Sequence, residues 1–224
     1  MIKLHGFALS NYYNKVKFVL IEHGIAFEEV LTKLPLTAAQ LAQSATGKVP
    51  FIATEHGFVC ESEAIVEYLA ARHPDKRIFA ADPWQAAKER ELIAVIETHV
   101  ELAARELYGE AFFGGTVSAE VKASVENRLN RHIGSFKRIA KFAPYVAGEQ
   151  FGIADMAAFA SLPLVATATQ TVYGRDFLAE AGVDWKAYLK LVLGRPAAQR
   201  VAADRKAAVE ASFRPFASSA SPGS

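Results

Sequence analysis

The run Gly47-Lys48-Val49-Pro50-Phe51-Ile52-Ala53-Thr54-Glu55-His56-Gly57-Phe58-Val59-Cys60-Glu61-Ser62-Glu63-Ala64-Ile65 decides the fold. Two β-rich runs flank a three-residue Glu55-His56-Gly57 loop, the pattern of an antiparallel hairpin, and the second run passes straight into a helical pattern. Pro50 heads the first strand, where a missing N–H is tolerated. A cis Val49-Pro50 bond would turn the Val49 main chain outward, leaving its N–H and C=O for an extended peptide. Glu61 and Ser62 stand where the second strand meets the helix. The orphan N–H groups and the positive dipole end of that helix favour an incoming carboxylate. Ser62 can add its hydroxyl, and the Glu61 carboxylate can hold an ammonium group. With Lys48, these groups suit a small zwitterionic peptide that carries separated carboxylates and an amine. Each residue also has a plain reading: a strand edge for Val49-Pro50, an N-cap for Ser62, solvated charges for Lys48 and Glu61. The set at this spacing points to a ligand.

Upstream, Ile2 to Phe7 alternates as a strand and ends in the loop Ala8-Leu9-Ser10-Asn11. A helix follows from Tyr12 with Val16, Val19, Leu20 and His23 on one face and Gly24 as its stop. Phe27 to Leu31 returns to strand, Thr37 to Ser44 reads as a short helix, and Ser62 to His73 as a longer one. The order is β-α-β-α-β-β-α. Ser10 itself reads as a helix N-cap or turn residue, and Asn11 could do the same work.

Downstream, Phe79-Ala80-Ala81-Asp82-Pro83 breaks the pattern and the chain turns to helix throughout. The division expected is 1–78 for the α/β domain, 79–86 for a linker and 87–224 for an all-helical domain. One long amphipathic helix is expected from Trp84 to about Tyr108, with Leu92, Val95, Ile96, His99, Ala103 and Leu107 on its face. A second runs from about Ser118 to Phe142 along Val121, Val125, Leu129, Ile133, Phe136 and Ala140. At Gly152-Ile153-Ala154-Asp155 a helix begins, with Asp155 reaching back to the cap N–H and Phe151 packing on Met156. Pro163 is expected to kink it. Two further helices follow, from Asp184-Trp185 to Leu193 and after Arg195-Pro196. Phe213 and Phe216 could fold over a substrate pocket, and Ser218 to Ser224 reads as a disordered polar tail.

The 224 residues carry 25 Lys and Arg against 24 Asp and Glu, a net charge of +1 that gives no sign of nucleic-acid or anionic-membrane binding. No apolar stretch spans a bilayer and no signal peptide is evident, so a cytoplasmic location is expected. The single cysteine, Cys60, cannot form an internal disulfide and is expected to face the core. His99 and His132 lack metal-ligand spacing, and no metal is expected.

Val49-Pro50 followed by Glu61-Ser62-x-Ala64-Ile65-x-x-Tyr68-Leu69 resembles the glutathione-binding half of the cytosolic glutathione S-transferases. The strand and helix order resembles the thioredoxin fold, and the Gly152 to Asp155 run and the final helices are also similar to that family. The resemblance implies a thioredoxin-like N-terminal domain and an all-α C-terminal domain. It implies a cis Pro50, a Val49 main chain paired with the cysteinyl part of glutathione, Glu61 and Ser62 on the γ-glutamyl end, and Lys48 facing the glycine carboxylate. Ser10 takes the place of the hydroxyl that contacts the sulfur in serine-type classes, with Asn11 as second choice. His5 stands where tyrosine-type classes carry their phenol, and no cysteine lies near Ser10. Tyr12 and Tyr13 are rivals for the sulfur, more in keeping with packing or a pocket wall. Tyr12, Tyr108, Phe112 and Phe113 are the candidate walls of an apolar substrate pocket. Two departures stand out: Gly152 replaces a hydroxyl cap, and Gln43-Ser44-Ala45-Thr46 replaces a run where Asn-Pro is common.

The function so implied is a glutathione S-transferase acting in detoxification, in which the thiolate of the co-substrate glutathione attacks a small hydrophobic electrophile. A homodimer is implied by the resemblance alone. The alternatives are a glutathione-dependent peroxidase or isomerase on the same scaffold, and a non-catalytic interaction protein that keeps the fold.

Overall fold

Alternation in Ile2-Lys3-Leu4-His5-Gly6 makes β1 (Ile2–Gly6), with Ile2 and Leu4 turned into the core. The computed structural model describes residues 1–212; the expectations for Phe213, Phe216 and the Ser218 to Ser224 run lie outside the described residues. β2 (Phe27–Leu31) runs parallel to β1, while β3 (Phe51–Thr54) pairs antiparallel with β1 and with β4 (Gly57–Cys60). The sheet order is β2-β1-β3-β4. With α1 (Asn11–Glu22), α2 (Ala38–Leu41) and α3 (Ser62–Arg72) this is the thioredoxin-like order.

The hairpin differs from expectation in one detail. Thr54 pairs directly with Gly57, so the loop is the two residues Glu55-His56 and not three. Gly57 enters β4 at φ 125°, which a side chain would resist, and Thr54 Oγ1 accepts from the His56 N–H at 3.1 Å.

From Pro83 onward every described element is helical. Asp82 caps α4 (Pro83–Ala94), accepting from Gln85 N at 2.9 Å, and Pro83 takes the first position, where its missing N–H costs nothing. The single long helix expected from Trp84 to Tyr108 is interrupted. A π-helical segment, Val95–Glu101, separates α4 from α5 (Leu102–Arg105), and α6 (Tyr108–Phe113) follows a turn. The physical reason lies in the spacing: Leu92, Ile96, Val100 and Ala104 are all buried, and so are Ile93, Glu97 and Glu101. Four-residue steps stay on one face only where the turn is wider than 3.6 residues. His99, expected on the apolar face, is exposed and lies beside the His132 ring.

α7 (Ala119–Ile139) starts at its Ser118 cap and buries Val125, Leu129, Ile133 and Phe136. α8 (Ile153–Tyr173) is buried along most of its length, passes Pro163 without ending, and packs against α1, α4 and the π segment. α9 (Phe177–Glu180), α10 (Trp185–Val192) and α11 (Pro196–Ser212) complete the described chain, with α11 lying along α1. No described helix is long and apolar enough to cross a membrane.

The start of α8 is a polar anchor inside this core. Asp155 accepts from Gly152 N at 2.9 Å, Val146 N at 2.8 Å and Tyr188 OH at 2.6 Å. Gly152 leaves room locally: a Cβ there would displace the Glu89 carboxylate, whose other oxygen accepts from Ala80 N at 2.9 Å. Glycine therefore lets a buried acid from α4 and the chain before it meet the α8 start. Phe151 stacks its ring edge-on with Tyr145 and near Phe18, under the Arg195 guanidinium.

Asp155→Ala leaves two buried donors and one half-buried donor without an acceptor, at about 1–3 kcal/mol each before any relaxation. The apparent Tm is expected to fall by about 6 °C or more, since about 1 kcal/mol moves a chain of this size by 2–4 °C. A fall of under about 1 °C in a thermal scan would show that the anchor contributes nothing.

Candidate functional site

The Val49-Pro50 peptide is cis. Val49 packs with Leu36 and Phe51 in a small cluster of its own, joined by Phe7 and half-buried Cys60. Among the described residues no hydrogen bond engages the Val49 N–H or C=O. The loop before it is fixed by Ser44, whose buried hydroxyl donates to Lys48 O at 2.8 Å. Ser44 thus gives the Gln43 to Thr46 departure a structural role. Lys48 is exposed.

Glu61 has φ 68° and ψ 119°, a conformation that costs a residue with a side chain on the order of 1–3 kcal/mol. This backbone turn makes Glu61 the N-cap of α3, without a side-chain cap bond, and puts Ser62 at the first helical position. The plain reading of Ser62 as the cap is thereby corrected. Ser62 is buried, while the exposed Glu61 carboxylate accepts from Thr46 Oγ1 at 3.0 Å. The first N–H groups of α3 are left without intrahelical acceptors, beside the strand end that carries Val49.

Ser10 caps α1 from the loop after β1, at φ −79° and ψ 121°. Its Oγ accepts from Tyr13 N at 3.3 Å. A hydroxyl that accepts through a lone pair still has its O–H to donate. The three side chains that follow it are bonded to other elements. Asn11 is buried, donating Nδ2 to Ser161 Oγ at 3.2 Å and accepting on Oδ1 from Arg105 Nη2 at 2.8 Å. Tyr12 OH donates to Glu101 Oε2 at 2.8 Å, and Tyr13 OH to Glu29 Oε2 at 2.6 Å. Burial, with these carboxylates adding to it, pushes both phenols well above the ordinary tyrosine range. Tyr13 also covers Gly6, where a Cβ would strike its ring. His5 stacks on Phe51, with Nδ1 3.3 Å from Thr32 Oγ1.

A charge cluster that sequence reasoning missed holds this corner together. The Glu101 carboxylate is 0% exposed and also takes Tyr108 OH at 2.9 Å and Arg105 Nη2 at 2.6 Å. The Arg105 guanidinium lies about equally far from the Tyr12 and Tyr108 rings. Lys15, equally buried, bridges Glu97 at 2.7 Å and Glu63 at 3.0 Å, so α1, the π segment and α3 share one cation. Burial raises the Glu97 carboxyl above the usual range, and Lys15 opposes that shift. The four-residue spacing from Leu92 to Ala104 was the legible signal for these inward acids.

Of the candidate pocket walls, Tyr12 and Tyr108 meet at Glu101, and Phe112 lies edge-on to Tyr108 at 4.9 Å. Phe113 is 77% exposed. Among the described residues no cluster of His, Cys, Asp and Glu could hold a metal.

Residues 4–77 match the family described as "Glutathione S-transferase, N-terminal domain". A glutathione S-transferase of Pseudomonas putida strain F1 is 41% identical over 211 residues, covering 94% of this chain and 96% of that protein. The solved apo structure of glutathione S-transferase III superposes with a TM-score of 0.73 at 25% identity, covering 90% of this chain and 95% of that one. A Pseudomonas fluorescens Pf-5 glutathione transferase family member, solved with two glutathione bound, shares the fold at a TM-score of 0.75 and 19% identity, with 89% and 91% of the two chains covered.

Glu101→Gln keeps one acceptor oxygen where the two phenols use both carboxylate oxygens, and removes the counter-charge of Arg105. Because Arg105 is partly exposed, the stability cost is expected at about 1–2 kcal/mol, below that of a fully buried pair. Amide hydrogen exchange in the first turn of α1 should accelerate relative to that of α7. Unchanged exchange at Tyr13 to Lys15 would mean that the cluster does not hold the α1 start.

Proposed function

The chain belongs to the glutathione S-transferase family, and on that premise we propose that it binds glutathione beside β3 and α3 and ionises its thiol at Ser10. The family members are transferases, and the reaction here is attack of the glutathione thiolate on a small apolar electrophile. In this reading the Val49 N–H and C=O pair with the cysteinyl part of glutathione, and the Glu61 carboxylate and Ser62 hydroxyl, with the α3 N-terminus, take the γ-glutamyl end. Lys48 faces the glycine carboxylate. Residues 1–78 form the glutathione-binding unit, 79–86 the linker, and the helices from 87 onward the wall of the electrophile pocket, with Tyr12, Tyr108 and Phe112 at its edge. A cytoplasmic homodimer completes the reading.

One observation carries the assignment of Ser10: its hydroxyl accepts from Tyr13 N and keeps a proton to donate, whereas the Tyr12 and Tyr13 phenol protons are given to Glu101 and Glu29 and the Asn11 amide is buried with one N–H on Ser161. The energy required is modest. Lowering a thiol from about 8.5 by about two units needs about 2.7 kcal/mol, and one hydrogen bond to a charged group contributes about 1.5–3 kcal/mol. The positive end of α1 adds to this. Ser10 need not act as a base or a nucleophile. Catalysis then comes from ionisation of the thiol and from holding it close to the electrophile.

The test separates binding from chemistry. Calorimetry with glutathione should show Ser62→Ala and Glu61→Gln weakening binding about tenfold or more, the loss of a hydrogen bond or charge contact to a charged group. Ser10→Ala should leave that affinity within about threefold while lowering kcat about 10–100-fold with a model aryl halide. Absence of glutathione binding in the wild type would overturn the proposal, and an unchanged kcat in Ser10→Ala would remove Ser10 from it.

A further inference from the structure

A cavity of about 420 Å³ lies where α1, α8, α10 and α11 meet, a size suited to a small organic molecule. Phe159, Pro163, Leu189 and Val201 give it apolar walls. Four polar residues share the wall with them: Asn14, Arg205, Lys206 and Glu210. Asn14, 2% exposed, donates Nδ2 to Ala8 O at 2.8 Å, and its Oδ1 has no hydrogen-bond partner among the described residues. Its own N–H donates to Ser10 O at 3.0 Å, so this wall of the cavity is one helical turn from Ser10.

Lys206 and Glu210 pair with each other at the rim, which leaves the charge of Arg205 as the informative one. The other cations of α11 have partners: Arg200 is 2.7 Å from Asp204, and Lys206 is 3.9 Å from Glu210. Asp204 is also taken by buried Lys17 at 2.7 Å, so it is already shared between two cations. Arg205 is half-buried in the cavity wall and makes no ion pair or hydrogen bond among the described residues. Burial pulls its pKa down, and only the nearby Tyr108 opposes this. A partly desolvated guanidinium with no acceptor calls for an anion, and its planar fork fits a carboxylate with two parallel hydrogen bonds.

We propose that this cavity binds a small aromatic carboxylate, its ring against the α8 and α10 walls and its carboxylate on Arg205. The site is defined without reference to glutathione, so the two assignments stand or fall separately.

The probes are cinnamate and its neutral amide, cinnamamide, titrated by calorimetry into the full chain without glutathione and at fixed ionic strength. Cinnamate should bind about tenfold or more tighter than cinnamamide, as expected where a bidentate charge contact is made to one and not the other. Arg205→Gln should bring the two within about twofold, and Lys190→Gln, a cation of α10 outside the cavity wall, should leave the preference intact. Ala202→Phe, which places a ring in the cavity from a half-buried wall position, should abolish binding of both probes. Equal affinity of the two probes in the wild type, a preference that survives Arg205→Gln, undiminished binding in Ala202→Phe, or no saturable cinnamate binding would each overturn the assignment.

Discussion

The Glu101 carboxylate is the constraint on which the arrangement around Ser10 depends. It is fully buried and takes Tyr12 OH, Tyr108 OH and the Arg105 guanidinium, while Arg105 also reaches Asn11. Both residues that follow Ser10 are therefore tied to the helices beyond Pro83. A buried acid of this kind adds little net stability against an apolar replacement, yet removing one partner leaves the others unsatisfied. Its effect is positional: the first turn of α1 has one placement in which Asn11 and Tyr12 are both satisfied. Lys15, one turn further on, repeats the device with Glu97 and Glu63. The π segment makes both possible, since only a widened turn brings Glu97 and Glu101 inward together with Val100.

The sheet side of the site depends on backbone conformation more than on charge. Glu61 holds a positive φ, and Ser44 pins the Lys48 carbonyl just before the cis Val49-Pro50 peptide. The result is a main chain at Val49, a helix start at Ser62 and a carboxylate at Glu61 on neighbouring segments. Strain of this kind persists only where the surroundings over-determine it. Here those surroundings are the β3–β4 pairing and the buried face of α3, with Ile65, Val66 and Leu69 in the core.

Local patterns were the legible part of the sequence. The hairpin, the strand and helix order, the Ser10 cap and the Asp155 return to the α8 start all follow from residues within a few positions of one another. The π segment was hidden because a 3.6-residue template was laid over a stretch whose buried positions step by four, and that error put His99 inside and passed over Glu97 and Glu101. Their partners Lys15 and Tyr12 could not be read at all, since these contacts of α1 with the π segment join residues more than eighty positions apart, whereas the Arg105 pairing with Glu101 is a four-residue step that the sequence does carry. Phe113 shows the opposite limit. Its apolar character suggested a wall, but the residue ends α6 and faces solvent. Gly152 was read as a weakened cap, whereas its lack of a side chain makes room for Glu89.

The account rests on a hydroxyl at the α1 start that donates to a bound thiolate, and the direct measurement is ultraviolet titration of the glutathione thiol on the protein. In the wild type the bound thiol should ionise about two pH units below its free value of about 8.5, and in Ser10→Ala that depression should shrink by about one unit or more. A bound thiol with the same depressed pKa in both proteins would contradict the account, because the proton held at Ser10 would then have no part in stabilising the anion.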